Sequence, residues 1–331
     1  MSVERDIYRV GIVGAGNILR LHLEAIDRQP DRMQAVALCD PNKETLIARA
    51  AGYGISECYA DLADMIAQAD IDEAVVCTPT HVRQEVLFPL IEAGIPTLCE
   101  KPFAETYAEA VAIEREAREA SVPIAINQNF RRHFTFHLAR EILARGHLGR
   151  PLHLVQSALY LRHDKGWRLQ RKRYVMAVMS IHWFDGYRYL LCDEPETVHC
   201  RGVNSPAIEG GDDTAISVIL QFHQGTVVSL SESFSSFAQQ SACSLDCERG
   251  ALVLGYEALT EVRPDGERIE HRNPFDKAEA TWYLLDDLMK AVEEQRAPET
   301  AAADNLKSMR ILEGAYRSLE ENRVVPLEEI E

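Results

Sequence analysis

Short, wholly apolar segments alternate with helical patterns over roughly the first 126 residues of the chain. Continuous apolar runs of strand length are typical of strands that are buried on both faces of a parallel sheet. Residues with helical spacing follow these runs, bounded by glycines or N-capping side chains. The pattern predicts a doubly wound parallel α/β sheet. Its predicted strands are 8–13, 33–39, 74–77, 95–99 and 124–126, and its predicted helices are 17–28, a segment from Asn42 to Gly52, a short helix capped by Asp61, 81–93 and 105–120.

From about Pro151 the pattern changes to an alternation of apolar and polar residues, which is clearest at Ile216, Val218, Leu220 and Phe222. Alternation with a period of two indicates strands that bury one face, and glycine-containing turns separate them without long helices. This half is therefore predicted to be α+β, with an open, mostly antiparallel sheet. Its predicted strands are 152–161, 214–222, 226–234 and 251–254, and its predicted helices are 176–191, 278–295 and 304–320.

Length and composition limit the class of protein. A chain of 331 residues is too long for one compact core and suits two domains, which we place at 1–126 and 127–331. The formal net charge of −17 argues against nucleic acid or an anionic membrane as a partner. The sequence has neither an apolar signal core nor a run of about 18 apolar residues, so we expect a cytoplasmic protein. The eight cysteines lack metal-ligand spacing, and no metal is predicted.

A glycine cluster ends the first predicted strand. Gly14 and Gly16 fit the first two positions of a dinucleotide-binding turn, in which the helix that follows presents its amides to a pyrophosphate. Leu19 stands where a third glycine or alanine is usual. Asp40 ends the next apolar run, 24 residues after Gly16, where a carboxylate accepts the adenosine ribose hydroxyls. Because that carboxylate repels a 2′-phosphate, NAD is favoured over NADP. The cofactor contacts predicted here are Gly14, Gly16, Asn17, Ile18 and Asp40.

Polar residues also follow the other predicted strands at the points where those strands end. The carboxyl ends of parallel strands meet at one edge of a doubly wound sheet, and ligands bind beyond that edge. We therefore expect these side chains to line one cofactor and substrate site. The contacts predicted on this ground are Thr78, Pro79, Thr80, His81, Glu100, Lys101 and Asn127.

Four segments together resemble one family: Gly11 to Ile18, Val76 to His81, Glu100-Lys101-Pro102 and Ser180 to Asp185. It is the Gfo/Idh/MocA family of glucose-fructose oxidoreductase, inositol dehydrogenase and rhizopine-catabolism proteins. The resemblance implies a Rossmann domain, which binds NAD(P), followed by a domain for substrate binding and oligomerisation. It also implies hydride transfer between nicotinamide and a hydroxyl carbon of a sugar, cyclitol or sugar acid. A homodimer or homotetramer is expected.

The resemblance implies two catalytic residues. Lys101 would contact the substrate hydroxyl and relay its proton, since burial and a positive nicotinamide ring both disfavour the ammonium form. His182 would be hydrogen-bonded to the reacting oxygen. A structural interpretation stays open for each residue. Lys101 can be a solvated cation paired with Glu100, and His182 can be a core histidine.

Two departures from the family pattern affect the substrate side. Many relatives carry an aspartate four residues before the histidine, where this chain has Val178, and Asp185 is the alternative partner of His182 or a structural carboxylate. Asn129 replaces an arginine that is common in related sequences, which argues against an anionic substrate there unless Arg131 or Arg132 restores the charge in a shifted register. The predicted substrate contacts are Lys101, Asn129, Trp167, Arg168 and His182.

Two other functions fit the same pattern. Val178 favours a protein that binds nicotinamide nucleotide without turnover, whereas Lys101 and His182 argue against it. Different chemistry on the same scaffold, such as imine or enone reduction or cofactor-retaining hydrolysis, is the second alternative, since a fold does not determine a reaction.

Overall fold

A computed structural model describes residues 7–164, 173–208 and 213–331. The chain divides into two compact units. The first runs up to Asn129 and includes Asp276–Leu306, and the second comprises Phe130–Phe275 and Lys307–Glu331. The sequence pattern placed all residues from 127 onward in one domain, so the return of 276–306 to the first unit is a difference from that division. No helix in the described ranges combines the length and the apolar character needed to cross a membrane.

The helices and strands of the described residues are as follows. The α-helices are α1 (Leu19–Ile26), α2 (Lys43–Tyr53), α3 (Leu62–Gln68), α4 (Arg83–Glu92), α5 (Tyr107–Ala120), α6 (Phe134–Ala144), α7 (Ile181–Leu191), α8 (Lys277–Glu294) and α9 (Ala302–Glu321). The strands are β1 (Tyr8–Val13), β2 (Met33–Cys39), β3 (Glu57–Tyr59), β4 (Glu73–Val76), β5 (Thr97–Cys99), β6 (Ile124–Ile126), β7 (Pro151–Leu161), β8 (Pro195–Val203), β9 (Ala215–Phe222), β10 (Val227–Ser233), β11 (Ser235–Cys247), β12 (Gly250–Leu254), β13 (Ala258–Val262), β14 (Arg268–Arg272) and β15 (Val325–Pro326).

The sheet of the first unit has six strands in the order β3-β2-β1-β4-β5-β6, and every pair is parallel. This is the doubly wound arrangement, in which the strand order reverses next to β1. The predicted parallel sheet is confirmed. Strand β3 was not predicted. It has only three residues and lies at the edge of the sheet, where no face is fully buried, so it lacks an apolar run.

Local capping explains the helix bounds in this unit. The predicted N-caps are confirmed, because Asn42 accepts a hydrogen bond from the Thr45 amide and Asp61 from the Ala63 amide. The prediction that Gly52 ends α2 is wrong. The helix ends at Tyr53, and Gly54 follows as its C-cap, with a φ of 73° that provides the left-handed backbone of the helix terminus.

Helix α8 packs against α1 in the first unit. Its apolar side chains, among them Trp282, Leu285 and Met289, share one buried cluster with Leu23 and Ile26. Ion pairs add to this contact, since Arg28 bonds Glu279 and Arg32 bonds Asp286. The return of α8 therefore completes the core over one face of the parallel sheet.

The second unit contains a nine-stranded sheet in the order β14-β13-β12-β11-β7-β10-β9-β8-β15. Its pairs are antiparallel except for β7 with β10. The predicted mostly antiparallel sheet and its strands at β7, β9, β10 and β12 are confirmed. Strand β11 was missed because its first half is exposed and polar, which hides the alternation. The predicted helix 176–191 is a five-residue π-helical turn, Met176–Ser180, followed by α7.

One face of this sheet is open. Five pairings place Val253, Ser244, Val155, Ser229, Ile219 and His199 in one row across six strands. Val155, Ile219 and Val253 in that row are 44%, 48% and 39% exposed. The alternate residues of the same strands are buried under helices, as the hydrogen bond from Tyr187 of α7 to Gln156 of β7 illustrates.

Candidate active site

The turn between β1 and α1 requires glycine at one position and leaves space at another. Gly14 has a φ of 106°, and a Cβ there would lie 2.9 Å from the carbonyl carbon of Cys77. The turn therefore packs directly on the chain that leaves β4, which only glycine permits. A Cβ on Gly16 would meet no atom within 4 Å. That open space beside the first turn of α1 suits a phosphate group.

Asp40 connects the end of β2 to this turn. Its Oδ2 accepts a hydrogen bond from the Ala15 amide at 2.8 Å, and its Oδ1 accepts one from the Asn42 amide at 2.8 Å. A carboxylate has about four lone-pair directions, so both oxygens can still accept ribose hydroxyls. Asn17 and Ile18 lie between the turn and α1, and Asn17 accepts a bond from Arg49 at 3.4 Å.

Arg83 joins the ends of β4 and β5. Its guanidinium, 2% exposed, donates to the carbonyl oxygens of Thr78 at 2.9 Å and Glu100 at 2.7 Å. It thereby fixes the spacing of the two segments that carry the predicted contacts. Arg83 was not predicted from the sequence, because the first turn of a helix is an ordinary place for an exposed arginine.

The segment after β4 contains the remaining predicted contacts of this strand. Pro79 precedes a single 3₁₀ turn, Thr80–Val82, in which Thr80 is half-buried and His81 is exposed. The Oγ1 atom of Thr78 is buried and has no hydrogen-bond partner among the described residues. A buried hydroxyl of this kind can bond a polar group of a bound cofactor.

Glu100 is the centre of a buried network at the end of β5. Its Oε1 is 2.8 Å from His22 Nε2 and accepts a hydrogen bond from Asn127 Nδ2 at 2.7 Å. Its Oε2 accepts the backbone amide of Lys101 at 3.3 Å. The Lys101-Pro102 peptide bond that follows is cis. The network thus brings together the ends of β5 and β6 with a residue of α1.

The charges of this network follow from its contacts. Burial raises the pKa of Glu100, but hydrogen bonds from His22 and Asn127 and the charge of Lys101 outweigh burial and lower it to about 2. Burial lowers the pKa of His22, but the Cys77 and Glu100 side chains outweigh burial and raise it to about 10. His22 and Glu100 therefore form an ion pair at neutral pH.

Asn127 meets Glu100 through its amide nitrogen, since a carboxylate only accepts hydrogen bonds. Its Oδ1 is buried and has no partner among the described residues. This oxygen and Thr78 Oγ1 are two buried polar atoms at the sheet edge that can each form a hydrogen bond with a ligand.

His182 lies in the second unit, in the first turn of α7, and is 7% exposed. Its ring stacks on Phe130 with centroids 4.4 Å apart and an interplanar angle of 10°. The same phenyl ring stacks on His133 at 4.4 Å and meets Trp183 edge-on at 4.7 Å. The imidazole plane of His182 is therefore fixed by packing.

Asp185, on the same helix, binds other groups. Arg131 donates to both of its oxygens, at 2.6 Å and 2.7 Å, and Ser308 Oγ donates at 2.7 Å. Arg188 adds a fourth contact at 3.4 Å. The carboxylate is thus the centre of a buried structural network. Arg131, two residues after Asn129, is bound within it.

The turn before α7 has no carboxylate one turn ahead of His182. In the π-helical turn the Ile181 amide bonds the Met176 carbonyl, so that either Ala177 or Val178 precedes the histidine by about one turn. Carboxylates reach this segment from elsewhere in the chain. Glu232 of β10 accepts hydrogen bonds from Ser180 and from Trp183 Nε1.

Asp213 anchors the start of the same segment. It accepts the amides of Tyr174 at 2.6 Å and Met176 at 2.9 Å. Burial raises the pKa of this carboxyl to about 6. Sequence analysis did not identify Asp213 or Glu232, because no local pattern relates either residue to α7.

Each unit brings together part of the predicted site. In the first unit the cofactor contacts meet at the carboxyl edge of the parallel sheet, and Asn129 follows as a residue that is 9% exposed. In the second unit His182 is held by aromatic contacts. Trp167 and Arg168, two predicted substrate contacts, lie outside the described residues. His22 was missed, although a histidine on the apolar face of α1, between Leu19 and Leu23, was a visible signal.

A doubly wound nucleotide-binding unit followed by an α+β unit defines the class of protein, and family comparisons agree. Residues 8–128 match the model described as oxidoreductase family, NAD-binding Rossmann fold, and residues 136–253 match the Gfo/Idh/MocA C-terminal domain. The chain belongs to the Gfo/Idh/MocA family of oxidoreductases, and its cofactor is NAD.

Individual relatives extend this finding along the chain. D-apiose dehydrogenase of Paraburkholderia graminis is 27% identical over 98% of this chain and 91% of its own length. Inositol 2-dehydrogenase 4 of Saccharopolyspora erythraea is 31% identical over 77% of this chain and 76% of its own. Among solved structures, levoglucosan dehydrogenase in complex with NADH and levoglucosan superposes with a TM-score of 0.89, at 19% identity, over 97% of this chain and 99% of that one. The last similarity shows the fold.

Proposed function

We propose that this oxidoreductase is an NAD-dependent dehydrogenase that transfers a hydride between nicotinamide and a hydroxyl-bearing carbon of a sugar, cyclitol or sugar acid. The observation that carries the proposal is the network at the sheet edge, where Glu100 positions the backbone of Lys101 and the amide of Asn127. The names of the apiose and inositol dehydrogenases support a polyhydroxylated substrate.

The first unit holds NAD in this proposal. The turn at Gly14 and Gly16 binds the pyrophosphate, and Asp40 accepts the adenosine ribose hydroxyls. Asn127 and Thr78 bond the nicotinamide end with their buried, unsatisfied oxygens. Bound NAD supplies the hydride acceptor. The other proposed contacts are Asn17, Ile18, Pro79, Thr80, His81, Glu100 and Lys101.

Lys101 and His182 relay the proton. During oxidation the substrate carbon loses a hydride and its hydroxyl loses a proton, so a base must accept that proton as the carbonyl forms. The Lys101 amine, in its neutral form, takes the proton. His182 donates a hydrogen bond to the same oxygen, with its ring held by Phe130.

The substrate is proposed to be uncharged where it meets the segment after β6. Asn129 offers an amide, and Arg131 is bound to Asp185. A neutral hydroxyl group suits an amide, whereas a carboxylate needs a cationic partner. Trp167 and Arg168 are proposed substrate contacts on the strength of the family pattern alone.

A substrate panel tests this function. Aldoses, cyclitols, polyols and sugar acids are incubated with NAD⁺, and absorbance of the reduced cofactor is followed. We expect turnover on a neutral polyol or aldose. Tight NAD binding with no turnover on any compound would favour the non-catalytic alternative, which the absence of a carboxylate at Ala177 and Val178 supports. Turnover of imines or enones alone, or hydrolysis without net cofactor reduction, would indicate different chemistry on this scaffold.

The open face of the nine-stranded sheet is proposed to mediate a homodimer or homotetramer. In this row Val155, Ile219 and Val253 alternate with serines, so the exposed surface is weakly polar. Light scattering after size exclusion tests this, and Ile219→Lys should shift the protein to monomer. Ile47→Lys, at an isoleucine of α2 that is 65% exposed and lies outside this sheet, is the matched control. A wild-type monomer at all concentrations would refute the assembly.

A further inference from the structure

His22 is a buried histidine on the apolar face of α1 in the first unit. It lies on α1, the helix that begins at the glycine turn, and is fully buried. Its neighbours on that helix face, Leu19, Leu23 and Ile26, belong to the apolar cluster between α1 and α8. Burial of a charged imidazole among such residues is unfavourable unless a partner compensates it. Glu100, with its Oε1 2.8 Å from Nε2, is that partner.

The ionised state of Glu100 determines how its oxygens bond the neighbouring residues. The same Oε1 accepts Asn127 Nδ2 at 2.7 Å, and Oε2 accepts the Lys101 amide at 3.3 Å. An ionised carboxylate accepts and cannot donate, so the Asn127 amide must present its nitrogen to Glu100 and keep its oxygen for another group. A protonated Glu100 would remove this constraint, because one of its oxygens would become a donor.

The His22 cation is the largest of the contributions that keep Glu100 ionised at this depth, ahead of the Lys101 charge and the Asn127 hydrogen bond. A buried carboxylate without a cation takes up a proton at neutral pH. The titratable groups that face His22 are Glu100 from the end of β5, Cys77 from the end of β4 and Glu73 within β4. Burial raises the pKa of Glu73 well above its ordinary value, whereas Glu100 lies at hydrogen-bond distance from His22 Nε2, so Glu100 is the counter-ion.

We propose that His22 is a positioning residue for the nicotinamide: its charge holds Glu100 ionised, and Glu100 in turn orients Asn127 so that the amide oxygen faces the cofactor. The inference rests on the proposed function only in taking the end of β6 as the nicotinamide site. It also assigns α1 two tasks, since its first turn faces the pyrophosphate and His22, farther along the helix, controls the opposite end of the cofactor.

Binding measurements separate this role from simple packing. ADP-ribose keeps the pyrophosphate and adenosine half of NAD⁺ and lacks the nicotinamide. We expect His22→Leu to raise the Kd of NAD⁺ by about tenfold, the size of one well-placed hydrogen bond, with the Kd of ADP-ribose changed less than about twofold. Leu23→Ala, at a buried residue of the same helix, is the control and should change both Kd values by the same factor.

The pH dependence of the two Kd values gives a second readout. In the wild type their ratio should be constant from about pH 5 to about pH 9, because both partners stay ionised there. In His22→Leu the Kd of NAD⁺ should rise relative to the Kd of ADP-ribose as pH falls, because Glu100 takes up a proton. His22→Gln retains a donor without the charge, so its ratio should lie between those of the wild type and the leucine variant.

Specific outcomes would overturn the proposal. The first is that His22→Leu weakens NAD⁺ and ADP-ribose binding by the same factor, and the second is that it weakens neither. The third is a glutamine variant whose ratio of the two Kd values matches that of the wild type at every pH. If the leucine variant does not fold, the glutamine variant decides alone. A wild type that oxidises no alcohol would refute the dehydrogenase and leave this test intact, since it depends on binding alone.

Discussion

Asp40 accepts a hydrogen bond from the backbone amide of Ala15 at 2.8 Å. The carboxylate at the end of β2 is thus bonded to the glycine turn at the end of β1, so the group that we propose to bind the ribose also holds the backbone of that turn in place. Substitution of Asp40 should consequently weaken the binding of both the ribose and the phosphates of the adenosine diphosphate group.

Cofactor preference depends on this carboxylate. We expect the wild type to bind NAD at least roughly tenfold more tightly than NADP, about 1.4 kcal/mol, because Asp40 repels a 2′-phosphate. Asp40→Asn should weaken NAD binding and reduce the preference towards unity. Calorimetric titration of both cofactors measures this. Glu44→Gln removes an exposed charge nearby in the first turn of α2 and should leave the preference unchanged. Equal wild-type affinities for the two cofactors would contradict the assignment of Asp40.

Lys101→Met removes the amine and keeps most of the side-chain volume. Turnover should fall by about 10² to about 10⁴-fold, the usual contribution of a positioned general base. NAD affinity should change far less than turnover, since Gly14, Gly16 and Asp40 are proposed to bind the other half of the cofactor. Steady-state kinetics and a binding titration measure the two effects separately. Lys290→Met, at an exposed position on α8, is the control. Wild-type turnover in Lys101→Met would exclude the lysine from proton transfer.

His182→Ala tests the second member of the relay. Because its ring is fixed against Phe130, the histidine is suited to donate a hydrogen bond in one direction, and its loss should lower turnover by about 10² to about 10⁴-fold. Cofactor affinity should change far less. His223→Ala, at an exposed histidine between β9 and β10, serves as the comparison. Unchanged turnover would make His182 a structural residue.

The His22 and Glu100 ion pair predicts a pH-dependent stability. The pKa of His22 is raised from 6.5 to about 10, so its contribution is complete below 6.5 and is lost as pH rises towards 10. The pKa of Glu100 is lowered from 4.5 to about 2, so its contribution is complete above 4.5 and is lost as pH falls towards 2.

The difference in unfolding free energy between wild type and His22→Leu should therefore be largest between the two unfolded-state values, 4.5 and 6.5, and should shrink towards pH 10. Urea unfolding at about pH 5.5 and about pH 9 measures it. A difference that is constant with pH, as expected for Leu23→Ala, would show that the pair is not ionised.

Asp185 predicts a stability effect in the second unit. Asp185→Leu leaves Arg131 without the buried carboxylate to which it donates two hydrogen bonds and should destabilise the fold by about 3–5 kcal/mol. Arg131→Leu combined with Asp185→Leu should recover part of that loss, since the most closely bound cation is removed as well. Chemical denaturation of the single and double variants gives the coupling. A double variant as unstable as the sum of its singles would indicate independent roles.

Periodicity, glycines and capping side chains determined much of this protein without tertiary information. Short segments of the sequence predicted the parallel strands, the Asn42 and Asp61 caps, the four confirmed strands of the second sheet and the NAD-binding family. These features could be predicted because a buried strand, a helix start or a tight turn constrains the residues within a few positions of itself. The catalytic roles of Lys101 and His182 and the domain division at 126 stay predictions.

Tertiary structure alone decided which distant residues meet. Arg83 joins two strand ends, His22 reaches Glu100, Asp213 anchors the turn before α7, and α8 returns to the first unit. A polar side chain that is paired across a long sequence separation has the same local pattern as an exposed one. Only the folded chain shows its partner, because the energy of a buried charge depends on what lies across from it rather than on what precedes it in sequence.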